Sequence, residues 1–140
     1  NAAGYAANAA RYVERLHALD RDLAAALAPA KGRRIVTYHH AFPYFTRRYG
    51  LELIGAIEEV PDVEPSPKYL TALQKVIREK DVKIIFTEPQ FSPKIAQRIA
   101  KDTGVPLAEL DTLETGPLKP TAYEEGLRRN LSTVQKHLGK

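Results

Sequence analysis

No cysteine occurs among the 140 residues, which excludes thiolate metal sites, thiol nucleophiles and disulfides and leaves His, Asp and Glu as the strong metal ligands available. No apolar run approaches the ~18 residues of a membrane span. A glycine-rich phosphate loop, a Gly-x-Ser-x-Gly elbow and a His-Glu-x-x-His helix are all missing, so nucleotide binding by a phosphate loop, serine hydrolysis and zincin chemistry have no local support. No ladder of aromatic and basic residues marks a nucleic-acid surface. The net charge of +4 is scattered rather than gathered in one run, and it reads as solvated surface. The chain opens on Asn1, with neither Met nor a charged-then-apolar leader before the first helical pattern. The expectation is a piece of a longer protein, with any export signal or lipid-attachment site upstream.

What is present is the composition of one α/β domain, 44% hydrophobic and 27% charged, long enough to bury a core without a structural metal. Tyr5, Ala9, Tyr12, Leu16, Leu19, Leu23 and Leu27 draw one apolar stripe along a helix that stops near Pro29 and Gly32. Arg34 to Tyr38 reads as a strand, and Ala41 to Tyr49 as a short helix closed by Gly50. Leu51 to Ile57 reads as a second strand, and the proline-rich stretch Val60 to Pro67 as an extended loop. Ser66-Pro67 and Ser92-Pro93 each supply a cap followed by a first-turn proline. The two helices they open are separated by a strand at Val82 to Thr87. Pro106 to Leu110 is a fourth strand. Thr121 then caps a last helix with the stripe Tyr123, Leu127, Leu131, Val134 and Leu138. A helix followed by four strand-helix units, with no internal repeat, predicts an α/β fold: a four-stranded parallel sheet flanked by helices on both faces.

Ligands of open parallel sheets bind beyond the carboxyl ends of the strands. His39 and His40 follow the first strand, Glu88 the third and Asp111 the fourth, so three of the four strand ends carry a group able to bind metal or move a proton. Each also has a purely structural use. His39 can be a hydrogen-bonded strand-end residue, Asp111 an Asx-turn or cap, and Glu88 an acceptor for backbone in its own loop. His17 and His137 sit alone at exposed-looking helical positions, and the Asn130-Leu131-Ser132 sequon lies inside a helix and carries no weight as a glycosylation site.

Val36-Thr37-Tyr38-His39-His40-Ala41-Phe42-Pro43-Tyr44-Phe45, followed by Arg48-Tyr49-Gly50-Leu51, resembles the V-T-x-H-x-A-F-x-Y-F…Y-G-L signature of the zinc- and manganese-binding receptors of bacterial ABC importers. The stretches Tyr5 to Leu19, Phe86-Thr87-Glu88-Pro89-Gln90-Phe91 and Leu110-Asp111-Thr112-Leu113 resemble the same family in order and spacing, so the resemblance covers essentially the whole chain.

That resemblance implies one lobe of a two-lobed receptor. Residues 1–31 would be the helix following the inter-lobe linker and residues 32–140 the C-terminal α/β lobe, the whole chain forming one domain without the N-terminal lobe. It implies His39 and Asp111 as this lobe's two metal ligands, with His40 and Glu88 as outer-shell partners and no catalysis. Zn2+ is the implied metal, since imidazole at His39 suits zinc better than manganese; a manganese (Mn2+) or iron receptor is the alternative. The implied partners are the missing N-terminal lobe and an ABC transporter membrane permease, with no nucleic acid and no membrane span in this chain. The implied location is periplasmic, or extracytoplasmic as a lipoprotein. Two readings of other classes stay open: a zinc-dependent hydrolase with His39, His40 and Asp111 on the metal and Glu88 as base, and a cell-adhesion module with no metal dependence.

Overall fold

The computed structural model describes residues 1–59 and 63–139. Its elements are α1 (Ala2–Leu27), β1 (Arg34–Thr37), α2 (Pro43–Tyr49), β2 (Glu52–Ala56), α3 (Pro67–Glu79), β3 (Ile84–Thr87), α4 (Lys94–Thr103), β4 (Leu107–Glu109) and α5 (Ala122–Leu138), with a 3-10 turn at Ala28–Ala30 after α1. All strand pairs are parallel, in the order β2-β1-β3-β4. The four carboxyl ends therefore share one edge. Of the expected loop at 60–67, residues 60–62 lie outside the described residues, and 63–66 carry no regular structure.

Side chains alternate across the sheet as the pleat requires, which gives two apolar cores. Ile35, Ile84 and Phe86 pack with Leu27, Phe42, Val134 and Leu138 on the face covered by α1, α2 and α5. Val36 and Ile85 pack with Leu73, Ile77, Ala96 and Ile99 on the face covered by α3 and α4. Both faces are buried, so the strands are short and β-branched, and helices cover each side.

Three sequence expectations are corrected. The α1 stripe packs only in its second half: Leu19, Leu23 and Leu27 are buried, whereas Tyr5 is 71% exposed and Tyr12 is also exposed. A 26-residue helix is about 39 Å long, more than the 17-residue α5 and the 7-residue α2 beside it can cover. The ion pairs that fasten it, Arg15–Glu124, Asp22–Arg128 and Asp20–Arg48, begin only at Arg15. Asp20 also accepts from the Tyr49 hydroxyl at 3.1 Å, and burial followed by that bond pushes the phenol up to about 12.

The second correction concerns the paired Ser-Pro caps. Ser66 caps α3, its side chain accepting from the Tyr69 N–H at 3.2 Å, but α4 starts one residue late with Pro93 at the cap position and no side-chain capping bond. A turn in which Phe91 N–H donates to the Glu88 carbonyl sets that entry. Third, the buried face of α5 runs through Gly126, Asn130, Val134 and Leu138. Tyr123 is exposed, and Leu127 and Leu131 sit at the flank. A polar residue lies at the centre of that face because Asn130 has work to do at the sheet edge.

Candidate functional site

β1 ends at Thr37 and releases Tyr38 and His39 over the carboxyl edge, where His39 is 7% exposed. Its backbone is pinned from both sides. Its N–H donates to Glu88 Oε1 at 3.0 Å, and the Thr37 hydroxyl donates to its carbonyl at 2.6 Å. The ring lies edge-on to Tyr38 and Phe91, with centroids 4.9 and 4.3 Å away. Imidazole orientation is thus over-determined, as a binding group requires.

Both ring nitrogens face carboxylates: Nδ1 lies 3.2 Å from Glu88 Oε1, and Nε2 lies 3.1 Å from Glu58 Oε2. Glu88 is 4% exposed, and a buried carboxylate is tolerated only with donors around it; the His39 backbone and ring supply them. Neutral imidazole carries a single N–H, which cannot donate to both carboxylates. Glu58 is further held by the Tyr38 hydroxyl, which donates to Oε1 at 2.8 Å. Burial first, then that bond and the charges of Glu58 and Glu88, push the Tyr38 phenol up to about 12, so it remains a donor at physiological pH.

Glu58 and Tyr38 are the participants that the sequence reading missed. The strand-end rule could have found Glu58, which directly follows the expected second strand and completes the set of four. A bulge shapes its approach: between Ile35 and Val36 the register against β2 slips by one residue, so Thr37 pairs with Ala56 and the Glu58 N–H reaches the Tyr38 carbonyl at 2.8 Å.

His40 is exposed. It lines, with His39, Ala41, Glu59, Glu88, Phe91 and Glu114, a hollow of about 350 Å³. Asp111 lies at the end of β4 in the adjoining hollow, which shares Ala41. Its Oδ1 accepts from the Leu113 N–H at 2.9 Å, the Asx-turn foreseen as a structural use, and Leu113 accordingly adopts φ 63°. Gln90 reaches the same oxygen at 3.3 Å. Asn130 explains the polar centre of α5: its amide accepts from the Asp111 N–H at 2.9 Å and donates to the Asp111 carbonyl at 2.8 Å, clamping the backbone of a candidate ligand. Glu88 meets His39, and His40 lines the same hollow as both, whereas Asp111 lines the adjoining one. Among the described residues, no group of three or more His, Asp or Glu is arranged to hold a metal ion by itself.

Glu88→Gln keeps the shape and one acceptor but removes the charge behind Nδ1. If His39 holds zinc, as the family resemblance implies, affinity should fall ~10 to 100-fold, the usual effect of changing a partner behind a ligand. Competition against a chromogenic chelator reads this directly, and an unchanged affinity would deny Glu88 that role.

The family of the zinc-uptake complex component A, periplasmic, matches residues 1–137. The zinc-binding protein AdcA of Streptococcus pyogenes serotype M3 is 39% identical over 138 residues, which is 96% of this chain and 27% of that protein. The solute-binding protein FpvC of Pseudomonas aeruginosa, solved with Mn2+, superposes with a TM-score of 0.87 at 37% identity, over 99% of this chain and 53% of that one. The laminin-binding protein Lmb of Streptococcus agalactiae, described as having adhesin and metal-transporting activity, superposes at 0.84 and 34%, over 96% and 52%. The chain spans between about a quarter and about half the length of these proteins. With nearly its whole length matched, the chain belongs to the family of the periplasmic zinc-uptake component A.

Proposed function

We propose that the chain captures a divalent transition metal, Zn2+ first, as the C-terminal half of an extracytoplasmic receptor that hands the ion to an ABC transporter permease. The observation that carries this reading is His39, a buried imidazole fixed at the carboxyl edge of the sheet between two carboxylates. Its Nε2 would bind the ion, Asp111 would add a carboxylate from the next strand end, and an N-terminal lobe would complete the shell and exclude water. In this layout residues 1–31 follow an inter-lobe linker and residues 32–140 form the C-terminal lobe. Imidazole favours zinc over the harder manganese, and the Mn2+-bound relative keeps Mn2+ as the alternative. The site supplies geometry and burial and drives no reaction. No helix among the described residues is long and apolar enough to cross a membrane; the receptor would act in the periplasm or, as a lipoprotein, outside the cytoplasmic membrane. A second role in adhesion is favoured by the likeness to the laminin-binding relative.

Calorimetry on the 140-residue chain tests the reading. The expected result is zinc binding at one site, much weaker than in a two-lobed receptor because water fills the remaining coordination positions. The fold itself should survive a chelator, since both cores form without metal. Absence of zinc binding, or full receptor affinity from the chain alone, would overturn the half-site account.

A further inference from the structure

Glu58 is fixed at both ends. Its N–H donates to the Tyr38 carbonyl at 2.8 Å, and its Oε1 accepts from the Tyr38 hydroxyl at 2.8 Å, which leaves Oε2 directed at His39 Nε2 at 3.1 Å. The carboxylate is largely buried, with a side-chain exposure of 14%. On the far side of the ring, Glu88 takes Nδ1, so the single N–H of a neutral imidazole cannot serve both neighbours. Two donors bound to one four-coordinate zinc at about 2.0–2.2 Å stand about 3.3 Å apart, so a slight opening of the Oε2···Nε2 pair admits an ion beside both atoms. Each of the two also has the support that metal ligands carry: Glu88 behind the imidazole and the Tyr38 hydroxyl behind the carboxylate.

We propose that Glu58 is itself a metal ligand, sharing the ion with His39 Nε2. This rests on the reading of His39 as a ligand and goes beyond the pair of His39 and Asp111. A carboxylate beside the imidazole makes the site harder and more negative, and so more tolerant of Mn2+ than His39 alone would make it. A carboxylate that merely occupies Nε2 until the ion arrives would have the opposite consequence, because its removal would strengthen binding.

The test titrates the full chain, wild type and as Glu58→Gln, Glu58→Asp and His39→Ala, with Zn2+ by chelator competition and with Co2+ as a spectroscopic probe of the shell. Circular dichroism checks that each variant is folded. In Glu58→Gln, zinc affinity should fall more than about 100-fold, beyond the outer-shell range. The Co2+ visible bands should change, and Glu58→Asp should recover part of the loss. Unchanged or tighter binding in Glu58→Gln, with His39→Ala still impaired, overturns the Glu58 proposal and leaves the His39 reading standing. Unimpaired binding in His39→Ala, or none in the wild type, overturns both.

Discussion

Replacing His39 by alanine should reduce zinc affinity by more than about 100-fold, the upper end of what outer-shell changes do, whereas His40→Ala should remain within that range. The two residues are adjacent, but their environments differ completely. His39 is buried, edge-packed by Tyr38 and Phe91 and flanked by Glu58 and Glu88, whereas the His40 side chain is exposed at the rim of the hollow. Neighbouring side chains leaving a strand point apart, so one ion cannot take both easily. Chelator competition at fixed pH measures the difference. Equal losses would mean that both rings bind the ion and would favour the hydrolase arrangement, and a larger loss at His40 would place the metal on the wrong residue in this account.

The largest stability effect should come from Phe86→Ala. Phe86 is fully buried at the centre of β3, packed in the core with Ile35, Ile84, Leu110 and Val134. Truncating such a ring in a close-packed interior costs about 3–5 kcal/mol, a large fraction of the ~5–15 kcal/mol that holds a typical domain folded. Phe91→Ala, five residues along the chain, should cost far less, because Phe91 is 41% exposed and packs chiefly on the rings of Tyr38 and His39. Urea unfolding of the two variants separates the cases. Similar losses would mean that the site hollow, and not only the core, carries the stability of the fold.

The sheet was legible because its signal is redundant. Ile35-Val36 and Ile84-Ile85-Phe86 are β-branched or aromatic at every position and are bounded by turns, as strands buried on both faces must be. Gly50 and Gly104 were legible as stops because both adopt left-handed conformations, φ 75° and 74°, that few other residues accept. The strand-end rule then led to His39, Glu88 and Asp111. What escaped depended on partners distant in the chain. The α5 face could not be read from periodicity, because Asn130 is buried for the backbone of Asp111, nineteen positions earlier. The identical Ser-Pro pairs differ because the turn from Glu88 to Phe91 delivers the second one late. Glu58 went unnoticed because it stands between the expected strand Leu51 to Ile57 and the proline-rich loop that begins at Val60, where a carboxylate looks like solvated surface. The register slip of β2 against β1 is what brings it beside His39.

Zinc-edge anomalous diffraction from crystals of the chain grown with zinc tests the central claim most directly. The account predicts a peak at about 2.0–2.2 Å, the bonding range for nitrogen and oxygen donors, from His39 Nε2. A peak at His17, His40 or His137 with none at His39 would contradict it.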